Sequence, residues 1–193
     1  MIHFNKNPMQ MSGVLRLTMT AIFIALLIAV QAAAAPLGQF VVGPLVNLIL
    51  IVSVMTCGFV PGLTAAVLSN VFAKLLGIGP LWMIVPFVMA GNAALVLVWH
   101  AVGSLTFGGY QGKAKQIARA AALVLGAACK FAVLYIGVAR IAVPLLLRLP
   151  EPQASVVSNM FSLPQLFTAL MGGALAMAVL PAVERIRKGR SSD

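Results

Sequence analysis

Acidic residues are almost missing from this chain: 193 residues include three, against thirteen lysines and arginines. They are Glu151, Glu184 and Asp193, each near the end of an apolar stretch or in the C-terminal tail. This scarcity excludes carboxylate proton relays, calcium or magnesium cages and paired-carboxylate catalysis, all of which need acids inside the structure. Cysteine is equally sparse. Cys57 and Cys129 stand 72 positions apart in apolar runs, with no CxxC spacing, so neither a disulfide framework nor a zinc site is expected. Ser104, Ser158 and Ser162 lack His–acid partners at any suggestive spacing, which leaves nucleophilic hydrolysis without support. Of the two histidines, His100 follows Trp99 at a span end and reads as interfacial, and His3 in Met1-Ile2-His3 is one ligand only.

What the chain has instead is apolar length. Hydrophobic residues make up 62% and charged residues 8%, where soluble domains average about 25% charged. A mean hydropathy of +1.06 leaves too little polar surface to coat a water-facing body. The expected fold is therefore all-α, an integral membrane bundle of six transmembrane helices. The first run, Leu17 to Ala35, rises roughly 28 Å and is too long for a cleaved signal peptide. Cys57-Gly58-Phe59-Val60-Pro61-Gly62 divides the next uncharged stretch into spans at about 40–57 and 62–77. Leu81 to Val102 is a fourth span, and residues 103–116 form a polar loop. Ala118 to Leu147 is a fifth. Ser162 and Pro164 open a sixth that ends near Val183. The organisation is a cytoplasmic N-terminal segment (1–16), a membrane domain (17–183) and a basic cytoplasmic tail (184–193).

With both termini cytoplasmic, nine of the thirteen bases fall inside: Lys6, Arg16, Lys113, Lys115, Arg119, Arg185, Arg187, Lys188 and Arg190. The net charge of +10 then reports topology and attraction to the lipid bilayer. No basic face interleaved with aromatics is present, so no nucleic acid partner is expected.

Two lysines break the apolar pattern. Lys130 lies eleven residues after Arg119 and ten before Arg140, at mid-depth if those arginines mark the interfaces. It cannot snorkel from there, and burial costs roughly 2.5–3.5 kcal/mol on insertion scales. Either neighbouring helices satisfy it or it lines a ligand cavity. Lys74 follows Asn70 by four residues on one helix face, near a span end where snorkelling competes. Gln31, Gln39, Asn47, Asn92, Tyr135, Asn159 and Gln165 each read as an inter-helix hydrogen bond or a ligand contact. With Trp82 and Phe87 they make up the polar and apolar parts of a pocket. The candidate substrate-binding set is Lys130, Lys74, Asn70, Asn92, Asn47, Tyr135, Gln165 and Trp82. Two cations without an internal acid favour a neutral or anionic ligand over a cationic one. No catalytic, metal or cofactor residue is assigned.

In the first span Ala21, Ala25, Ala29 and Ala33 recur every four residues. Such small-residue faces allow close helix approach in lipid, although seven alanines among residues 21–35 also produce the spacing by composition.

Six spans in under 200 residues, this alanine ladder, and three stretches of sequence together resemble the substrate-binding S component of energy-coupling factor (ECF) vitamin transporters. The stretches are Gly43-Pro44-Leu45-Val46-Asn47, Gly58 through Lys74-Leu75-Leu76-Gly77, and Pro86-Phe87-Val88-Met89-Ala90-Gly91-Asn92. The resemblance covers residues 16–183 and implies a bacterial plasma-membrane protein with a micronutrient pocket near the outer face. It also implies a transmembrane T component and two ABC ATPases as partners, with the alanine face, here Ala21, Ala25 and Ala29, contacting the T component. The chain would hydrolyse no ATP itself. The His-bearing N-terminal motif of the metal-ion members is absent. Two other classes remain open beside a transport-binding subunit: a structural or assembly subunit, and an integral-membrane lipid-phosphate enzyme with the lysines on phosphate.

Overall fold

The structure, a computed structural model, describes residues 13–107 and 112–189. Lys6, Met1-Ile2-His3, the Gly108-Gly109 pair and residues 190–193 lie outside the described residues. Within them the chain is helical and has no strand. The helices are α1 Gly13–Ala34, α2 Gln39–Cys57, α3 Phe59–Leu75, α4 Val85–Phe107, α5 Lys113–Leu134, α6 Glu151–Met160 and α7 Leu163–Gly189. Tight turns at Ala35–Leu37 and Trp82–Ile84 lead into α2 and α4.

Five segments are long and apolar enough to cross a membrane: Gly13–Leu37, Gln39–Cys57, Trp82–Gly103, Lys113–Leu147 and Glu151–Arg185. The third expected span, α3, is a shorter apolar helix of 17 residues. That length rises roughly 26 Å, somewhat less than a typical hydrocarbon core. Large apolar side chains face outward along the helices, among them Leu17, Leu68, Leu97, Val124, Ile136 and Leu175. Such a surface suits lipid and would aggregate in water.

Three boundaries differ from the sequence reading. The polar loop is shorter, because α4 continues to Phe107 and α5 begins at Lys113. At the other edge, α7 carries on through residues 184–189, into the stretch expected as a tail. The early start of α5 and the extension of α7 both centre on Glu184, whose carboxylate accepts from Lys115 at 2.8 Å and from Arg119. An ion pair on helical residues holds the first turns of α5 against the last turns of α7. The third difference is α6. Glu151 and Pro152 sit in its first turn, where an acid meets the positive helix end and a missing N–H costs nothing.

α5 runs directly into a π-helix over Tyr135–Leu147 that contains Pro144. In an α-helix this proline would clash with the carbonyl four residues back. The wider winding bonds five residues back, as Arg148 N–H does to the Val143 carbonyl at 3.2 Å. Arg148, in the left-handed region at φ 45°, ends it.

α2 is the hub, packed against α1, α3, α4 and α7, while α1 touches only α2 and α3 extensively. Of α1's most apolar stretch 17% is buried, against 56% for α2. Glycines set the closest approaches. A Cβ on Gly172 of α7 would lie 2.6 Å from the Pro44 carbonyl of α2, and one on Gly91 of α4 would lie 2.8 Å from Leu134. Without a hydrophobic force between helices in lipid, this close packing holds them together.

The apolar core has two parts. The larger joins Leu27, Leu50, Val54, Cys57, Leu95 and Trp99 with residues of α3, α5 and α7. The smaller joins Ile84, Leu134, Val138, Val143 and Phe161. Glu184→Gln is expected to destabilise the bundle by about 1–3 kcal/mol, because it leaves the buried Arg119 and the half-buried Lys115 without their carboxylate. Thermal unfolding in detergent measures this. A melting temperature equal to the parent's would show that the clamp contributes nothing.

Candidate functional site

Lys130 belongs to α5 and is 4% exposed. Its ammonium donates to Asn47 Oδ1 at 2.5 Å and to Asn92 Oδ1 at 2.7 Å. Asn47 comes from α2 and Asn92 from α4, so one cation gathers three helices. The approach is permitted locally by the glycine beside Asn92, Gly91, which lets α4 settle on Leu134. An ammonium has three N–H groups, and the two asparagines use two of them.

Beside this cluster lies a cavity of about 390 Å³, within the range of small-molecule sites. The ends of α1, α3, α5 and α6 and the starts of α2, α4 and α7 surround it, with the turns at Gly38 and Ile78–Leu81 closing over it. Its walls are mainly apolar, with Val46, Ile84, Val88, Leu134 and Phe161 among them. The polar groups on the wall are Lys130 and the side-chain amides of Gln31, Gln39, Asn70, Asn92 and Gln165.

Three of these amides are anchored, two to their own helices and one to the end of the helix before it. Asn70 Nδ2 donates to the Ala66 carbonyl at 2.6 Å, Gln31 Nε2 to Leu27 at 3.1 Å and Gln165 Nε2 to Met160 at 3.1 Å. A carbonyl acceptor requires the nitrogen to face it, so each amide oxygen is left as an acceptor. None of these oxygens receives a hydrogen bond among the described residues. Asn47 Nδ2 is also buried without a partner.

Of the eight sequence-derived candidates, Lys130, Asn70, Asn92 and Gln165 meet on the cavity wall, joined by Gln31 and Gln39. Asn47 is fully buried behind Lys130 and holds it without reaching the cavity. Lys74, Trp82 and Tyr135 are not on the wall. Lys74 is half-buried in the last turn of α3, at a helix end where its long stem reaches the surface. Trp82 is 53% exposed, and the inward residue of its turn is Ile84. Tyr135 is engaged elsewhere: its hydroxyl accepts from Arg140 Nε at 3.0 Å, with that guanidinium 5.2 Å from its ring centre. His100 stacks near Phe59 with ring centres 5.0 Å apart.

Sequence reasoning overlooked α6, which contributes Val157 and Met160 to the wall beside Phe161. The Glu151-Pro152 pair was the available signal for that helix.

Among the described residues the cavity wall carries no countercharge. Glu151 is exposed at the start of α6, and Glu184 is paired at the far end of α5 and α7. Among the described residues no group of three His, Cys, Asp or Glu is placed to hold a metal ion. One held cation, amide oxygens and apolar walls are equipment for binding.

A second surface has a defined position. Ala21, Ala25, Ala29 and Ala33 are all exposed, while α1 packs inward through Thr20, Phe23, Leu27 and Ala34. At 100° per residue the two sets lie on opposite sides of the helix. Among the described residues the alanine face is therefore left exposed.

Comparison with protein-family models, with curated proteins and with solved structures yields no match to this chain.

Proposed function

We propose that this chain is the substrate-binding membrane subunit of an ECF-type transporter. It captures a neutral or anionic vitamin-like micronutrient at the outer face, and partner subunits drive uptake with ATP. The observation that carries this reading is Lys130, a buried cation with no acid beside it among the described residues, on the wall of a 390 Å³ cavity at one end of the bundle. At the other end stand Lys113, Lys115, Arg119 and Arg185, where α5 begins and α7 finishes. The positive-inside rule makes that end cytoplasmic and the cavity end external. The large apolar core fills the bundle toward the basic end, which suits a one-sided receptor better than a channel. The outward alanine face supports docking to a T component, because small side chains let another helix approach closely.

The test is native mass spectrometry of the purified chain for a co-purified small molecule, followed by uptake of that molecule in cells with and without the T component and ATPases. Uptake is expected to require both partners. Ala25→Trp is expected to abolish uptake and co-purification with the T component while leaving ligand affinity unchanged, because Ala25 is exposed and is not on the cavity wall. Assembly with partners but no bound molecule would favour a structural subunit. Transport by the chain alone in liposomes would overturn the proposal.

A further inference from the structure

We infer that the cavity takes a monoanionic carboxylate with an apolar body, its carboxylate seated on Lys130 and its hydrogen-bond donors on the wall's amide oxygens. This rests on the reading of the cavity as a ligand site and narrows the ligand's chemistry.

Charge comes first. Lys130 is 4% exposed, and the groups that hold it, Asn47 and Asn92, are neutral. Their oxygens solvate the ammonium but cannot cancel its charge. A buried ion without a counterion is unfavourable, and the described carboxylates, Glu151 and Glu184, are elsewhere. An anion in the cavity supplies the missing charge and accepts the third N–H of the ammonium. Among the described residues Lys130 is the one cation on the wall, so a single negative charge is matched and a dianion would bring a surplus charge into apolar surroundings. A cationic ligand is repelled.

The rest of the ligand follows from the rest of the wall. Val46, Ile84, Val88, Leu134 and Phe161 offer only apolar contact, so the body of the ligand is largely hydrocarbon or aromatic. The oxygens of Gln31, Asn70 and Gln165 carry no donor from the protein. They suit N–H or O–H groups on the ligand and would penalise another acceptor there.

The experiment uses the full-length chain in detergent and thermal-shift titration with matched probes. These are phenylpropionate and phenylvalerate, their methyl esters, phenylpropylamine and phenyl phosphate. Each carboxylate is expected to bind at least about tenfold more tightly than its ester, which keeps the shape but loses a charge-assisted hydrogen bond. The amine and the phosphate are expected to bind more weakly than the acids. Lys130→Met is expected to erase the preference of acid over ester while ester binding persists. An ester, amine or phosphate that binds as well as the acids overturns the carboxylate assignment and leaves a ligand site of another class. A preference that survives in Lys130→Met places the anion elsewhere and also overturns it. If no probe shifts the wild-type protein and no molecule is found bound to it, the ligand-site reading falls together with this inference. Mass spectrometry of a bound acid separates two sources: a water-soluble acid supports both readings, whereas a membrane fatty acid supports the carboxylate and removes nutrient uptake.

Discussion

Asn92→Leu is expected to cost about 2–3 kcal/mol of stability, because it removes one of the two oxygens that solvate the buried Lys130 ammonium. The side chains are close in size, so the loss reads the hydrogen bond rather than a cavity. The sign of the second mutation is more informative. Adding Lys130→Met to Asn92→Leu is expected to recover most of the loss, because it removes the charge that needed solvation and leaves an apolar chain of similar length. Alone, Lys130→Met is expected to cost less than Asn92→Leu, since it strands two neutral oxygens instead of an ion. The four melting curves in detergent form a double-mutant cycle. If the double variant is less stable than Asn92→Leu alone, the ammonium contributes net stability and is not held at a cost for binding.

Gly172→Ala is expected to damage both stability and binding. Its Cβ would lie 2.6 Å from the Pro44 carbonyl and 3.2 Å from the Leu48 amide nitrogen, and backbone cannot yield as a side chain can. The contact between α2 and α7 must open, at a cost of at least about 1–3 kcal/mol. Because Asn47 sits at that contact, its grip on Lys130 loosens and ligand affinity is expected to fall as well. Gly103→Ala is the control. Its Cβ would meet the sulfur of Met55 at 2.7 Å, the flexible end of a side chain able to move aside, so a smaller loss is expected. Equal losses in the two variants would mean that the α2–α7 contact adapts, contrary to the tight packing argued for it.

The helical stretches were legible because hydropathy is a sum over neighbours in the chain. The runs around Leu17, Phe40 and Leu81 became α1, α2 and α4 with ends shifted by a few residues. The boundaries that moved were those set by distant partners: nothing near Lys113 announces that Glu184, far along the chain, will hold the start of α5. The Glu151-Pro152 signal for α6 went unused in the sequence reading, and α6 as a cavity wall depends on how it folds back over the π-helical end of α5.

Within the candidate site, the expectation that Lys130 faces inward follows from composition, since no acid and no snorkelling route can rescue it in lipid. The choice among its companions does not. Asn70 and Lys74 share a helix face by spacing, but a helix end separates a residue on the wall from one that reaches the surface. Tyr135 is a plausible ligand contact by position, and Arg140 takes its hydroxyl.

By itself the amino-acid order determined that this is a helical chain with several stretches long and apolar enough to cross a membrane, and that one lysine falls midway along such a stretch. Only the tertiary structure decided that two asparagines, 83 and 38 positions away, would share that lysine, and that the alanine face of α1 would be left uncovered. Burial is a preference each residue carries with it. Which groups meet depends on the rotation and spacing of whole helices, and close glycine contacts such as Gly172 on Pro44 set these only once the helices have packed.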